Sequence, residues 1–190
     1  MATRYIKPNG TGDGSSWAAA APLSSLNTQI QNAGTGGEVR VLGDAGAYSL
    51  TGTINISAGG VKVIATDING NAKNVVVNGT RQNPWTTDWA GAQAANKGFT
   101  AINLNAGADD LNLQGFSFNN FQYAFAVKGN ITGLTFGDPS KKDFKTAALI
   151  PAAGFDKKSP NYFPTVLNIY NTSKGDVSVF ADPVRAINCN

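Results

Sequence analysis

The sequence predicts an all-β fold of many short strands, with one short amphipathic helix near its start. Three observations lead there. The composition suits turns: the 190 residues include 22 glycines and 21 asparagines against a single glutamate, Glu38. Glycine and asparagine tolerate the left-handed backbone of tight turns, whereas a helix bundle draws on Glu, Lys, Arg and Leu. Apolar residues recur with a period near two in short runs, and the breaks between runs are rich in Gly, Asn and Asp. Helical spacing is convincing only once, so the strand–helix alternation of a doubly wound α/β sheet is missing.

Taken in order, residues 9–16 read NGTGDGSS and are wholly polar or glycine, which predicts a loop. Leu23, Leu26 and Ile30 stand three and four residues apart and predict a helix over 23–33. Ser15, Ser16, Ser24 and Ser25 are its candidate caps, and Gly34 its stop. The first strand is Glu38–Leu42, where Val39 and Val41 alternate with charged Glu38 and Arg40. Further strands are predicted at 53–56, 61–65, 74–78, 100–104, 111–118, 123–127, 131–136, 165–170 and 177–181. The tail 184–190 is also compatible with a strand.

The strands repeat at a longer period. LNLQGFSF begins at Leu111 and ITGLTFGD at Ile131. An offset of 20 aligns Leu111 with Ile131 and Phe116 with Phe136; an offset of 23 aligns Leu111 with Leu134 and Leu113 with Phe136. Either value suits one coil of a solenoid. Residues 79–98 and 137–164 interrupt the repeat and are expected to be side loops on a rod. The expectation is a single domain over 1–190 with about five to seven coils. That domain being the N-terminal part of a longer chain is an open alternative.

Two segments carry a resemblance. One runs from Tyr5-Ile6-Lys7-Pro8 through Gly12-Asp13-Gly14-Ser15-Ser16-Trp17, then a short helix, then Glu38-Val39-Arg40-Val41. The other runs from Leu111 through Gly115-Phe116-Ser117-Phe118-Asn119 to Asn130-Ile131-Thr132. Together they resemble the right-handed parallel β-helix superfamily, the pectate-lyase-like fold. The resemblance implies an all-β solenoid, a single-stranded right-handed parallel β-helix with a short N-terminal capping helix. Leu23, Leu26 and Ile30 would then cover the first coil. Strands stacked about 4.8 Å apart would line up apolar ladders. Asn55, Asn78, Asn103, Asn112 and Asn168 are candidates to bond neighbouring backbone amides from inward turn positions; the alternative is that they sit in exposed turns or on solvent-facing strand positions. No matching cap is visible at the C-terminal side. A chain continuation or another subunit is therefore expected at that edge, unless the tail folds over it.

Composition bounds the chemistry. The absence of histidine removes the commonest general base, His-containing triads and most catalytic zinc sites. One cysteine, Cys189, allows no intrachain disulfide. A net charge of +3, thinly spread, makes no nucleic-acid footprint. No apolar run is long enough for a spanning helix, and the opening Met1-Ala2-Thr3-Arg4-Tyr5 lacks a signal-peptide apolar region.

The superfamily hosts lyases, hydrolases, epimerases, phage tailspikes and adhesins, so the resemblance implies fold more than function. Its lyases use an Arg or Lys base with calcium-binding acids, and its hydrolases clustered aspartates. No segment here matches either motif, and the catalytic residues stay unknown. Asp109-Asp110 is the best acidic pair, but vicinal residues of an extended chain face opposite ways; a solvated turn is expected, with calcium as the lesser alternative. Trp85 and Trp89, four apart with Arg81 and Asp88 nearby, are the candidate glycan-binding residues, because aromatic faces with polar neighbours suit sugar rings. Trp17 is expected to fold the leading segment onto the first coil.

The expected function is a non-enzymatic structural or glycan-facing module, such as part of a phage particle or surface adhesin. The alternative is a polysaccharide lyase or hydrolase, or the N-terminal portion of one, acting on acidic polysaccharide. Expected partners are a polysaccharide or cell-surface glycan and a further subunit, without cofactor or nucleic acid. The expected location is the virion or the extracellular surface.

Overall fold

The computed structural model describes residues 1–79, 99–121, 123–128 (Tyr123 by its backbone) and 131–137, with the backbone of three strands at 167–169, 177–179 and 185–187. The strands are β1 (Thr3–Ile6), β2 (Glu38–Leu42), β3 (Tyr48–Ser49), β4 (Ile54–Ile56), β5 (Lys62–Thr66), β6 (Val75–Asn78), β7 (Thr100–Leu104), β8 (Asn112–Gln114), β9 (Phe116–Asn119), β10 (Tyr123–Val127), β11 (Leu134–Phe136), β12 (Leu167–Ile169), β13 (Val177–Val179) and β14 (Arg185–Ile187). One helix, α1 (Leu26–Ala33), follows a 3-10 turn at Leu23–Ser25.

Every named strand pair is parallel. Sheet one runs β1-β2-β5-β8-β11-β13, sheet two β3-β6-β9-β14, and sheet three β4-β7-β10-β12. From β2 to β11 the chain visits the three sheets in turn, so each circuit adds a rung to a rod. This is a parallel β-helix with, among the described residues, a single short helix at its N-terminal end. The expected side loops at 79–98 and 137–164 fall between β6 and β7 and between β11 and β12 in sequence, and lie almost wholly outside the described residues.

The register resolves the two offsets. Leu113 pairs with Phe136 and Asn112 with Thr135, an offset of 23; β2 and β5 pair Glu38 with Lys62, an offset of 24. Inward residues consequently stack as rows. Val39, Val63, Leu113 and Phe136 form one row. Ile54, Ile102 and Phe125 form another, and Val77 with Phe118 a third. Phe118 meets Phe125 edge-on at 5.0 Å, and Phe125 meets Phe136 at 4.9 Å. Those three rings come from three different sheets, so they tie the faces of the rod together at its axis.

The predicted strand over 111–118 is two strands. Gly115 has φ +75 and turns the chain between β8 and β9, which belong to different sheets. A side chain there would meet the Lys73 carbonyl 2.5 Å from its Cβ, so glycine is required by both backbone angle and close approach. The predicted strand at 131–136 shortens to β11 because Gly133, at φ +67, makes a similar corner. β1 and β3 are additional strands.

The capping helix is present. Leu26, Ile30 and Ala33 are buried in the core at the first coil. Asn27 Oδ1 accepts the Ser57 N–H at 3.0 Å, just beyond β4 at the edge of sheet three. None of the four serines caps it through its side chain: Ser25 Oγ donates instead to the Pro22 carbonyl at 2.7 Å. The 3-10 turn runs straight into the helix, so Ser25 (φ −89, ψ 10) lacks the extended conformation of an N-cap. The leading loop also pairs with β1: Tyr5 N–H donates to Gly14 O at 2.9 Å, and Ala21 N–H to Tyr5 O at 2.9 Å. That pairing covers the outermost strand of sheet one.

Tyr48 closes the same end. Its ring is buried, and its hydroxyl donates to the Leu42 carbonyl at 2.9 Å. Burial pushes the phenol well above its ordinary value of 10.0. The folded state therefore holds this proton more tightly than the unfolded chain, so the contribution is complete below that value and is lost as pH rises. In an alkaline absorbance titration, Tyr48 should ionise only together with unfolding. Tyr48→Phe should remove one phenolate from that step; a step of unchanged size would contradict the assignment.

Candidate ligand-facing surface

Arg81, Trp85, Asp88 and Trp89 lie outside the described residues. The surface that can be built from the residues upward is the outer face of sheet one at its N-terminal end.

Asp109 and Asp110 behave as a turn. Asp109 Oδ1 accepts the Thr132 N–H at 2.8 Å and its hydroxyl at 3.0 Å. Asp110 sits in the left-handed region at φ 52, and its N–H donates to Thr132 O at 2.8 Å. The pair fastens one coil to the next. Among the described residues no group of three or more His, Cys, Asp or Glu side chains gathers as a metal site.

The asparagines stack, in a different manner from the one the sequence suggests. Asn103 Nδ2 donates to Asn55 Oδ1 at 2.9 Å, and Asn119 Nδ2 to Asn78 Oδ1 at 3.1 Å. Their partners are side chains, not backbone amides. Their strands point them outward, because the apolar neighbours Ile54, Ile56, Ile102 and Leu104 occupy the inner face. Asn112 donates to the Gly137 carbonyl at 3.1 Å and accepts from Gln114 Nε2 at 2.6 Å. The side chain of Asn168 lies outside the described residues. Asn103 is only 9% exposed, so losing its acceptor leaves a nearly buried donor unpaired. Asn55→Ala should cost about 1 to 2 kcal/mol in urea unfolding. A double-mutant cycle with Asn103→Ala should show coupling; additive costs would mean the bond contributes nothing.

On sheet one, the outward rows read Thr3, Glu38, Lys62, Asn112 and Thr135, and beside them Tyr5, Arg40, Ile64 and Gln114. Arg40 Nε donates to Glu38 Oε1, and this bond raises the guanidinium further above its already high pKa. Trp17 meets Tyr5 at a ring-centroid distance of 4.8 Å. Its Nε1 donates to the Ile68 carbonyl at 3.2 Å, tying the leading loop to the turn after β5. The expectation that Trp17 anchors the leading segment matches these contacts.

That turn is organised by Asp67, whose carboxylate accepts the N–H groups of Asn69 and Asn71 at 2.9 Å and the Asn71 amide at 2.8 Å. The Asn71 side chain, then its backbone, hold the Asp67 carboxyl below its ordinary range. Ser15 does the same for Asp13, and Asp44 pairs with Lys73 at 2.7 Å, raising the lysine. Tyr5 escapes notice in the sequence because β1 is only four residues long and its partner β2 lies beyond the helix. No family model, curated protein or solved structure matches the chain.

Proposed function

We propose that the chain is a non-enzymatic, glycan-facing structural module. A phage particle or surface adhesin is the setting we infer, with a subunit or chain continuation at the C-terminal edge. One observation carries the reading: five of the six described carboxylates, all but Asp110, are engaged in structure. Asp13, Asp67 and Asp109 each accept bonds within turns or between coils. Glu38 and Asp44 are paired with Arg40 and Lys73. A glycosidase needs two carboxyl groups free to exchange protons across a bond, and a lyase needs a base made available by its surroundings.

The test is incubation with a panel of neutral and acidic polysaccharides, followed by reducing-end and chain-length assays beside a retention assay. Retardation of at least one polysaccharide without shortening is the expected result. Catalytic depolymerisation of any of them would overturn the reading.

A further inference from the structure

The geometry points to the Tyr5–Trp17 corner as a saccharide subsite that takes a neutral hexose ring. The inference rests on the glycan-facing reading but assigns the contact to Tyr5 and Trp17 on the first coils rather than to Trp85 and Trp89. Both rings are partly exposed, and they stand tilted at 58° with centroids 4.8 Å apart. Trp17 is set before any ligand arrives. Its indole N–H is bonded to Ile68 O, and its own carbonyl accepts Lys7 Nζ at 3.3 Å. A rigid aromatic platform avoids much of the ordering cost of binding.

Polar groups flank the rings. Tyr5 pairs in register with Arg40, and Arg40 is bonded to Glu38; their side chains are 32% and 28% exposed. The turn after β5 forms the opposite side. Gly70 has no side chain, and a Cβ there would fall 3.1 Å from Arg40 Nη1, so its backbone lies against the guanidinium. Ile68, 64% exposed, stands on the rim.

A hexose has apolar C–H faces and a girdle of hydroxyls that donate and accept. The rings suit the faces. The guanidinium fork supplies donors, and the adjacent carboxylate an acceptor, in fixed geometry. Charge decides the class of sugar. Beside the rings Lys7 is turned to the Trp17 carbonyl and Arg40 and Glu38 cancel, so an acidic sugar that gains at Arg40 is repelled at Glu38. A neutral sugar meets both groups favourably.

The test is fluorine NMR of the full chain labelled with 5-fluorotryptophan. Its three indole resonances are assigned by Trp17→Phe, Trp85→Phe and Trp89→Phe. Cellohexaose, mannohexaose and hexagalacturonate are titrated in turn. The Trp17 resonance should move with at least one neutral probe, and Arg40→Gln should weaken that probe about tenfold. Movement of Trp85 or Trp89 alone would overturn this subsite and leave the glycan-facing reading standing. Movement of Trp17 with hexagalacturonate only would overturn the neutral class, and unchanged affinity in Arg40→Gln the role of the ion pair. Silence of all three indoles, with no retention in the polysaccharide panel, would overturn both readings.

Discussion

Leu26→Asp should lower stability by about 3 to 5 kcal/mol, moving the urea midpoint down by roughly 2 M. Leu26 is fully buried, in the same core cluster as Ile6, Val39 and Ile30. The substitution removes apolar contact and places a carboxylate where the described neighbours are mainly hydrocarbon. The chain can respond by protonating the group or by lifting α1, and both cost free energy. Lifting α1 would also remove the bond from Ser57 N–H to Asn27 and expose the edge at β4. Thr28→Asp is the control, because Thr28 is exposed on the same helix. It should stay within about 0.5 kcal/mol of wild type. Equal effects at the two positions would mean that α1 does not seal the coil.

Gly115→Val should cost about 3 kcal/mol or more. Two penalties act together. At φ +75 a β-branched residue is strained. Its Cβ would also lie 2.5 Å from the Lys73 carbonyl and 2.9 Å from the Ala65 Cβ. Neither obstacle is a flexible side-chain end. The Lys73 carbonyl belongs to the corner one coil below, so relieving the clash requires two rungs to part. Gly52→Ala provides the contrast, since a Cβ there meets nothing within 4 Å. It should change stability by less than about 0.5 kcal/mol. Circular dichroism melts of the two variants check this pair, and a tolerated Gly115→Val would contradict the corner.

The corner also shows where sequence reading succeeded and where it stopped. Strict alternation predicts β2 well, because buried Val39 and Val41 alternate with half-buried Glu38, Arg40 and Leu42 along its whole length. Leu113 and Phe116, however, both face inward although they stand three residues apart. A single extended strand cannot place them on one face, so that phase break marks Gly115 as a bend. Phe116 and Phe118 resume the period on another sheet. The longer repeat was legible as one of two offsets, but choosing between them required the pairing of Leu113 with Phe136.

Other features had no local signal. β3 is two residues long, too short to show a period. Asn55 and Asn103 stand 48 residues apart in sequence, so no local spacing reveals their pairing. The Tyr5–Trp17 corner was hidden for a related reason. Its residues come from β1 and the leading loop, and only the register with β2 brings Arg40 beside Tyr5.

The covered first coil gives the rod a direction. Arg4 occupies the row that continues as Val39, Val63, Leu113 and Phe136, so a cation heads an otherwise hydrocarbon column. A further rung laid on that end would have to displace α1 and strip water from the guanidinium. A head-to-tail filament needs both ends of every copy open, because each step lays one end on the other. The covered first coil therefore blocks that mode of end-to-end growth.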